Sequence, residues 1–438
     1  MYNYLRILYH LYGLMRSARW SREKLKEHQK RELRKVITYA YDNVPFYHET
    51  LKGLGLKPED IKTVEDLSKL PVVRRMELQK NADKIVSKEF DRSKLLVEST
   101  SGSTGRPLRT YVTIKEDEFR KAKLLRANIC CGHRARDKWV VITAPQERSR
   151  MSRIQRLFGV FVPINLSVFE EPRKQISFVE RVRPDVIEGY SSSLLLMAKE
   201  LEKTELEIRS PRILIGEAEM IDRSERLFIE KLFGAPIYDQ YGSVELEVVA
   251  WQCEEKGDYH IDADTVIVQF VDENGEDVAP GERGEIVCTS LFNYAMPFIR
   301  YAVGDIGVAA DSDETCECGR TLPLLKAIEG RKDSLIVLPG GRVLTPLALG
   351  WAMEFFKYYF DIDQYRVVQK RVDLLKFLVK VMDSCVIDKT VVASELVGHL
   401  RKTLDIGSEV AFDVEFVDAI SLDKSGKLRK VISEISGA

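Results

Sequence analysis

The sequence predicts an α/β protein with a large N-terminal region of mixed sheets flanked by helices and a small α+β C-terminal domain. Strands and helices alternate between residues 139 and 238, at a spacing typical of parallel or mixed sheets. Beyond residue 260 the chain becomes rich in strands and turns, which predicts a β-barrel-like part. A polar break at residues 329–333 then precedes the small domain.

The first 90 residues predict a helical N-terminal segment packed on the core. Residues 2–20 carry aromatic and leucine side chains with helical spacing. Packing on the protein's own body or on a partner is favoured for this stripe, and contact with a membrane surface stays open. Residues 21–43 predict a second helix with Ser21 as its N-cap, and Pro45 follows its end.

The remaining elements divide into a core domain at residues 91–333 and a lid domain at 334–438. In the core, the predicted helices are 116–129, 175–183, 191–201 and 222–233, and the predicted strands are 139–143, 186–188, 212–215 and 235–238. In the lid, the predicted helices are 347–356 and 390–403, and the predicted strands are 335–338, 364–370, 375–382 and 412–416, followed by a polar loop at 423–430.

Composition excludes several classes of protein. The 438 residues carry a net charge of −1, which does not favour nucleic acid as a partner. We find no apolar run long enough for a transmembrane segment and no signal peptide. Seven cysteines, an odd number in a long chain, favour a reducing cytoplasm over a disulfide framework.

Residues 99–105 form a distinctive stretch, because all seven are hydroxyl residues or glycine. Apolar residues stand on both sides, which predicts a strand, a tight loop and a second strand. Gly102 and Gly105 let the backbone approach a ligand closely, and successive amides of such a loop form an anion-binding concavity. A flexible linker is the alternative. We favour a polyphosphate site.

A second polar motif, Asp239-Gln240-Tyr241-Gly242-Ser243-Val244-Glu245, follows a predicted strand. Tyr241 is suited to stack on a nucleotide base. Glu245 is suited to hold Mg²⁺, because this ion binds through one or two carboxylates together with phosphate oxygens. The alternative is an ordinary turn with a surface glutamate.

A separate set of residues has the composition of a zinc site. Cys253, His260, Cys316 and Cys318 offer three thiolates and one imidazole, which complete a tetrahedral, structural Zn²⁺ site. Reduced structural cysteines are the alternative.

Six motifs occur in one order between residues 99 and 429, and together they resemble the adenylate-forming enzymes, the superfamily of acyl-CoA synthetases, adenylation domains and luciferases. They are Thr100-Ser-Gly-Ser-Thr-Gly-Arg-Pro107, Gly216-Glu-Ala-Glu219, the motif 239–245, Arg300-Tyr-Ala-Val-Gly-Asp305, Gly330-Arg-Lys-Asp333 and Ser425-Gly-Lys-Leu-Arg429. The helical front end and Cys318-Gly-Arg-Thr-Leu-Pro323 resemble most the phenylacetate–CoA ligase group, including its capsule-polysaccharide branch. Val244 and Val303 stand where that superfamily usually has a hydroxyl residue.

The resemblance implies the adenylate-forming-enzyme fold, with a mobile C-terminal lid that turns at Asp333. It implies a catalytic Lys427, since a cation between a carboxylate and the α-phosphate stabilises the transition state, and it implies Mg²⁺ at Glu245. The phosphate-holding residues that it implies are Thr100, Ser101, Gly102, Ser103, Thr104 and Gly105, with Thr104 counted as catalytic. The other nucleotide-binding residues that it implies are Gly216, Glu217, Ala218, Asp239, Gln240, Tyr241, Gly242, Ser243, Asp305 and Arg331.

The predicted function is therefore the ATP- and Mg²⁺-dependent activation of a small-molecule carboxylic acid as an acyl-adenylate, followed by acyl transfer. Coenzyme A is the acceptor that the phenylacetate–CoA ligase resemblance implies, and an amine or hydroxyl on a sugar is the alternative from the capsule branch. A nucleotide-binding protein that has lost the chemistry is a third interpretation, supported by Val244 and Val303. The sequence leaves a homodimer open and does not specify the acid.

Overall fold

The computed structural model describes residues 2–99, 108–144, 159–204, 206–255, 257–311, 314–382, 385, 387–423 and 427–435. These residues cluster into two compact units. Unit 1 comprises the described residues of Met1–Ala135 and Tyr238–Ile328, and unit 2 those of Arg136–Met151, Gln155–Ile237 and Glu329–Ala438. The division into domains 1–90, 91–333 and 334–438 stays a prediction.

The helices and strands of the described residues have the following bounds. The α-helices are α1 (Tyr4–Ser17), α2 (Arg22–Asn43), α3 (Pro45–Gly53), α4 (Arg75–Lys80), α5 (Ile114–Cys130), α6 (Pro172–Val182), α7 (Ser191–Thr204), α8 (Arg223–Phe233), α9 (Pro346–Glu354) and α10 (Lys389–Leu404). The strands are β1 (Leu96–Ser99), β2 (Arg109–Val112), β3 (Trp139–Thr143), β4 (Pro163–Ser167), β5 (Val186–Tyr190), β6 (Ile213–Glu217), β7 (Ile237–Ser243), β8 (Glu247–Trp251), β9 (Tyr259–Ile261), β10 (Val266–Val271), β11 (Arg283–Ser290), β12 (Tyr301–Ala309), β13 (Leu324–Arg331), β14 (Ile336–Val337), β15 (Val343–Leu344), β16 (Ile362–Arg371), β17 (Leu374–Val381), β18 (Ala411–Phe416) and β19 (Val431–Ser433).

Side-chain caps fix where the main helices of unit 1 begin. Ser21 accepts a hydrogen bond of 3.3 Å from the amide of Lys24, so α2 begins where the sequence predicts. At α5, Thr113 and Glu116 form a reciprocal capping box, with bonds of 3.1 and 2.7 Å. Because Thr113 directly follows β2, the capping box begins α5 immediately after that strand.

The strands of unit 1 are antiparallel wherever their pairing is described. The order is β10-β11-β12-β13-β9-β8-β7, and a separate hairpin joins β1 and β2. One large apolar cluster unites this sheet with α2, α3 and the end of α5. The strand-rich part predicted beyond residue 260 is therefore an antiparallel arrangement.

Unit 2 combines a parallel sheet with the C-terminal segment. The parallel strands have the order β6-β5-β3-β4, and α6, α7 and α8 pack their apolar faces in the same cluster. All five residues of β5 are buried, as expected for a strand covered on both faces. In the C-terminal segment, the sheet β18-β17-β16-β19 shares an apolar core with α9 and α10.

Two strands differ from the sequence-based prediction. β7 continues to Ser243, beyond the predicted end at residue 238, because β8 returns beside it and pairs its polar residues. The predicted C-terminal polar loop is followed by β19, which pairs in parallel with β16 and is too short for a periodic pattern. No helix in the described part of the chain combines the length and the apolar character needed to cross a bilayer.

Candidate active site

The predicted phosphate loop is bounded by the hairpin of β1 and β2. The two strands pair antiparallel, with Ser99 opposite Arg109, so the predicted strands on either side of the loop are confirmed. The loop itself lies outside the described residues, and the phosphate-binding roles of its residues stay predictions. These residues are Thr100, Ser101, Gly102, Ser103, Thr104 and Gly105.

A buried arginine on α5 connects this hairpin to the turn after β7. The Arg120 guanidinium lies 2.8 Å from Glu98 Oε2 and 2.9 Å from Glu247 Oε2, and it donates a hydrogen bond of 2.9 Å to the carbonyl of Val244. Burial opposes its charge, but the carboxylates of Glu247 and Glu98 raise the pKa of Arg120 above its ordinary value. The positions flanking the predicted phosphate loop are thereby fixed relative to the motif 239–245.

Tyr241 and Asp305 lie together, although 64 residues separate them in the chain. The Tyr241 hydroxyl donates a hydrogen bond of 2.8 Å to Asp305 Oδ2. Asp305 is buried on β12, and Tyr241 is half-buried on β7. The base-stacking residue and the ribose-binding residue that the resemblance implies are thus in direct side-chain contact.

Glu245 lies at the end of the same motif and is buried. Its Oε1 accepts a hydrogen bond of 2.7 Å from the Tyr301 hydroxyl and lies 3.3 Å from Arg75 Nη2. Within the described part of the chain, Oε2 receives no hydrogen bond. One carboxylate oxygen is therefore available as a ligand, which fits Mg²⁺, an ion that takes few protein oxygens beside phosphate.

Gly242 and Ser243 lie at the end of β7, where β8 packs closely against them. A Cβ atom at Gly242 would lie 2.3 Å from the carbonyl oxygen of Glu247, so a side chain does not fit there. The Ser243 hydroxyl is buried and has no hydrogen-bond partner among the described residues. A buried hydroxyl without a partner is costly, and an anionic ligand that accepts a hydrogen bond from Ser243 would remove that cost.

The side chains of Asp239 and Gln240 have protein partners instead. Asp239 Oδ2 accepts a hydrogen bond of 2.5 Å from the Tyr259 hydroxyl, and Gln240 Nε2 donates one of 2.7 Å to Asn128 Oδ1. Both residues are buried and hold β7 against β9 and α5. Their contact with a nucleotide stays a prediction.

In unit 2, the predicted nucleotide-binding residues Gly216, Glu217 and Ala218 lie where β6 ends. Ala218 is exposed and has a φ of 67°, a left-handed conformation that is strained for a residue with a Cβ. Such strain persists where the surroundings enforce it and is common at ligand-binding turns. The carboxylate of Glu219 supplies part of this enforcement, since its Oε2 accepts a hydrogen bond of 3.0 Å from the amide of Ser192 at the start of α7.

Glu219 also holds the loop that carries Lys427. Its Oε1 accepts a hydrogen bond of 2.7 Å from the amide of Leu428. The Lys427 Nζ atom lies 5.2 Å from the ring centroid of Tyr190, a buried residue at the end of β5. The structure therefore brings the predicted catalytic lysine to the carboxyl ends of β5 and β6, the usual ligand-binding edge of a parallel sheet.

The predicted hinge motif joins β13 to a short 3₁₀ turn at Lys332–Ser334. Gly330 has a φ of 109°, and a Cβ there would lie 2.9 Å from Pro346 Cγ. Arg429 donates a hydrogen bond of 3.3 Å to Ser334 Oγ, so the hinge segment contacts the lysine loop. The nucleotide contact of Arg331 and the rotation at Asp333 stay predictions.

Cys253, His260, Cys316 and Cys318 form a compact cluster in unit 1. Their ligand atoms all lie within 4.8 Å of one another. Cys253 Sγ is 3.6 Å from Cys316 Sγ, and Cys318 Sγ is 3.4 Å from His260 Nε2. A tetrahedral ion with metal–sulfur bonds near 2.3 Å requires ligand separations of about 3.8 Å. The donor set therefore fits a metal ion of that geometry.

Comparison with known proteins finds similar sequences and a shared fold. No family model matches the chain. The chain is 27% identical to a phenylacetate-coenzyme A ligase of Thermus thermophilus over 339 residues, which cover 74% of each protein. It is 24% identical to Protein CapK of Staphylococcus aureus over 426 residues, 94% of this chain and 90% of CapK. The crystal structure of a 2-hydroxyisobutyryl-CoA ligase in the postadenylation state shares the fold, with a TM-score of 0.78 at 20% identity over 95% of this chain and 91% of that one.

The chain has the fold of this acyl-CoA ligase. The relatives named phenylacetate-coenzyme A ligase and CapK support the group and the capsule branch that the motifs indicate. Val244 and Val303 remain departures from the motifs of the superfamily. The main chain of Val244 nevertheless takes part in the site, because its carbonyl accepts the bond from Arg120.

Sequence reasoning missed several residues that shape this candidate site. Arg120 and Arg75 belong to none of the six motifs, and Glu219 was only an end residue of one. Arg120 lies 127 residues from Glu247, and a charged residue on a helix normally indicates a solvated face. No local pattern distinguishes it from the other charged residues of α5.

We expect the substitution Arg120→Gln to weaken ATP binding about tenfold or more and to lower the free energy of unfolding by about 3 kcal/mol, because it leaves Glu247 without its buried partner. Titration calorimetry with ATP and urea denaturation measure the two effects. Arg74→Gln is the matched control, since Arg74 forms a two-point ion pair with a different carboxylate, that of Glu285, at 2.7 and 3.0 Å. Arg120→Gln with undiminished ATP affinity would contradict the role given to Arg120.

Proposed function

We propose that this protein activates a carboxylic acid with ATP, forms an acyl-adenylate with release of pyrophosphate, and then transfers the acyl group to coenzyme A. The observation that carries the proposal is the contact between the Lys427 loop and the turn after β6. Residues 219 and 428 are 209 positions apart, yet one carboxylate of Glu219 joins them at 2.7 Å. This contact supports one site in unit 2, formed by the turn with a predicted nucleotide-binding motif and the loop with the predicted catalytic lysine.

On the nucleotide side, Tyr241 would stack on the base and Asp305 would accept hydrogen bonds from the ribose. Their mutual bond of 2.8 Å already holds both side chains in place. Glu245 would hold Mg²⁺, which when bound supplies positive charge to the phosphates. Ser243 contributes a buried hydroxyl that lacks a partner among the described residues.

On the acid side, Lys427 would lie between the attacking carboxylate and the α-phosphate. Two anions repel each other, and a fixed ammonium lowers the energy of the arrangement in which they react. The face of the Tyr190 ring and the amide bond of Leu428 limit the positions open to this lysine. Rotation of the 334–438 lid at Asp333 would then admit the acyl acceptor.

Coenzyme A is the proposed acceptor because several relatives are phenylacetate-coenzyme A ligases. An amine or hydroxyl of a sugar is the second candidate, favoured by the alignment to CapK over 94% of this chain. Loss of the chemistry is disfavoured by the retained geometry of Tyr241, Asp305 and Lys427. The identity of the acid, the cytoplasmic location and a homodimeric state stay predictions.

We also propose that the cluster of Cys253, His260, Cys316 and Cys318 holds a structural zinc ion. Three sulfurs and one imidazole nitrogen are the ligands that Zn²⁺ prefers, and four protein ligands leave no open position for catalysis. His260 Nδ1 is buried without a partner among the described residues, so Nε2 is the atom that faces the thiols. The ion would clamp β9 to the segment before β13.

The first test of the proposed function is acid-dependent exchange of label between pyrophosphate and ATP, without coenzyme A. We expect exchange with one chemical class among aromatic, aliphatic, amino and sugar acids, because adenylation alone is reversible. Coenzyme A and then amino sugars are added next to identify the acceptor. Tight ATP binding without exchange for any acid would favour a nucleotide-binding protein instead.

We expect Lys427→Ala to lower the rate of this exchange about a hundredfold or more, with little change in ATP affinity, because the lysine acts on the developing charge. Lys402→Ala is the control, since Lys402 is an exposed lysine of α10. Exchange at the wild-type rate in Lys427→Ala would remove the catalytic assignment.

We expect purified protein to contain about one zinc ion per chain and Cys316→Ser to contain less than half as much, with a lower melting temperature. Elemental analysis after dialysis measures the metal, and calorimetry measures melting. Cys385→Ser controls for loss of a thiol, because Cys385 lies outside the cluster beside Asp361. Equal zinc in both variants, or none in the wild type, would contradict the site.

A further inference from the structure

Helix α1 has two apolar faces, and only one of them is packed. Ile7, Leu11 and Leu14 are buried in a cluster with Ala122 of α5. On the opposite side, four large side chains are exposed at the spacing i, i+3, i+4 and i+7. These are Leu5 at 78%, Leu8 at 50%, Tyr9 at 73% and Tyr12 at 64%. We call these four residues the outer stripe.

The outer stripe is a continuous surface, because residues at this spacing lie along one side of a helix. Single exposed apolar residues are normal on a protein, but a contiguous group marks a surface that binds something apolar. The inner face already fixes α1 to the body of the protein. The stripe therefore serves a contact outside the chain or a contact with another copy.

The charges that α1 and its flanking residues carry are of one sign. Residues 1–22 contain four arginines and no aspartate or glutamate, and the first acidic residue is Glu23. Arg6 is paired with Glu118 at 2.8 Å, and Arg22 donates a hydrogen bond to the carbonyl of Glu314. Arg16 and Arg19 are exposed, and Arg16 lies 5.7 Å from the ring centroid of Tyr12.

We propose that the outer stripe and its two arginines bind the surface of a bilayer that contains anionic lipids. Leucine and tyrosine side chains suit the boundary between headgroups and acyl chains, and arginine suits lipid phosphates. The helix lies in the plane of the surface and stays packed on α5. Binding is weak and reversible, because one short stripe buries little area and two cations add a modest attraction.

A second copy of the chain fits the stripe less well. Paired on itself, the stripe would bring two sets of Arg16 and Arg19 together, and α1 supplies no carboxylate to neutralise them. Anionic headgroups supply that charge in excess. This binding is independent of the proposed adenylation, and the two are tested separately.

The test uses the full chain and sedimentation with vesicles of phosphatidylcholine alone or mixed with phosphatidylglycerol. We expect binding to the mixed vesicles, little binding to the neutral ones, and release by salt. The double substitution Leu5→Glu and Tyr9→Glu is expected to lower the bound fraction about tenfold. Leu227→Glu, at a residue of α8 that is 56% exposed, is the matched control and is expected to bind as the wild type does.

A second variant, Arg16→Gln with Arg19→Gln, keeps the stripe and removes its charges, and it is expected to bind mixed vesicles several-fold more weakly. Melting curves show whether each variant is folded. Wild-type protein that fails to bind the mixed vesicles would overturn the proposal, as would undiminished binding by the folded Leu5→Glu/Tyr9→Glu variant. A dimer in light scattering that this variant dissociates, without vesicle binding by the wild type, would assign the stripe to a second copy.

Discussion

The buried guanidinium of Arg120 is the interaction on which the arrangement of the predicted nucleotide-binding residues in unit 1 depends. It contacts Glu98 before the predicted phosphate loop, and Val244 and Glu247 after β7. Glu247 has a φ of 61°, a conformation that costs about 1–3 kcal/mol in a residue with a side chain. The ion pair and the absence of a Cβ at Gly242, beside the carbonyl of Glu247, hold that conformation in place. The turn that presents Glu245 is therefore stabilised from α5, and α5 is set by the capping box that directly follows β2.

In unit 2, carboxylates at helix N-termini hold the segment that carries Lys427. Glu219 binds the first turn of α7 through Ser192 and the lysine loop through Leu428. Asp222 and Glu225 form the capping box of α8, and Lys430 pairs with both. The same side chains thus begin helices of the parallel sheet and anchor residues 428–430. Negative charge at a helix N-terminus is favourable in itself, so these carboxylates also stabilise the first turns of α7 and α8.

How much of the fold and of the candidate site could be predicted from the sequence depends on the distance along the chain between the interacting groups. Helices with local caps, such as α2 at Ser21, and buried parallel strands, such as β3 and β5, follow from short patterns and are confirmed. The end of β7 was wrongly predicted at residue 238, because pairing with β8, not composition, makes the polar residues up to Ser243 a strand. The clustering of Cys253, His260, Cys316 and Cys318 could be predicted because their residue types are rare and specific. The contacts of Arg120 with Glu247 and of Glu219 with Leu428 could not, because each pair is more than a hundred positions apart.

The N-terminal helix shows how firm anchoring and outward contact are compatible. Arg126 is buried, pairs with Asp262 at 2.6 Å and Asp264 at 2.7 Å, and donates a hydrogen bond of 3.1 Å to the carbonyl of Leu14. Ser17 also donates to Asp264. The bond from Arg126 satisfies the Leu14 carbonyl in the last turn of α1. Together with the bond from Ser17 to Asp264, it fixes the helix to the body of unit 1. Because the helix is held by polar bonds at one end and by its inner apolar face, the outer stripe is ordered before it meets a bilayer. A preorganised stripe loses little conformational entropy on binding, so even a small surface of this kind can support reversible attachment.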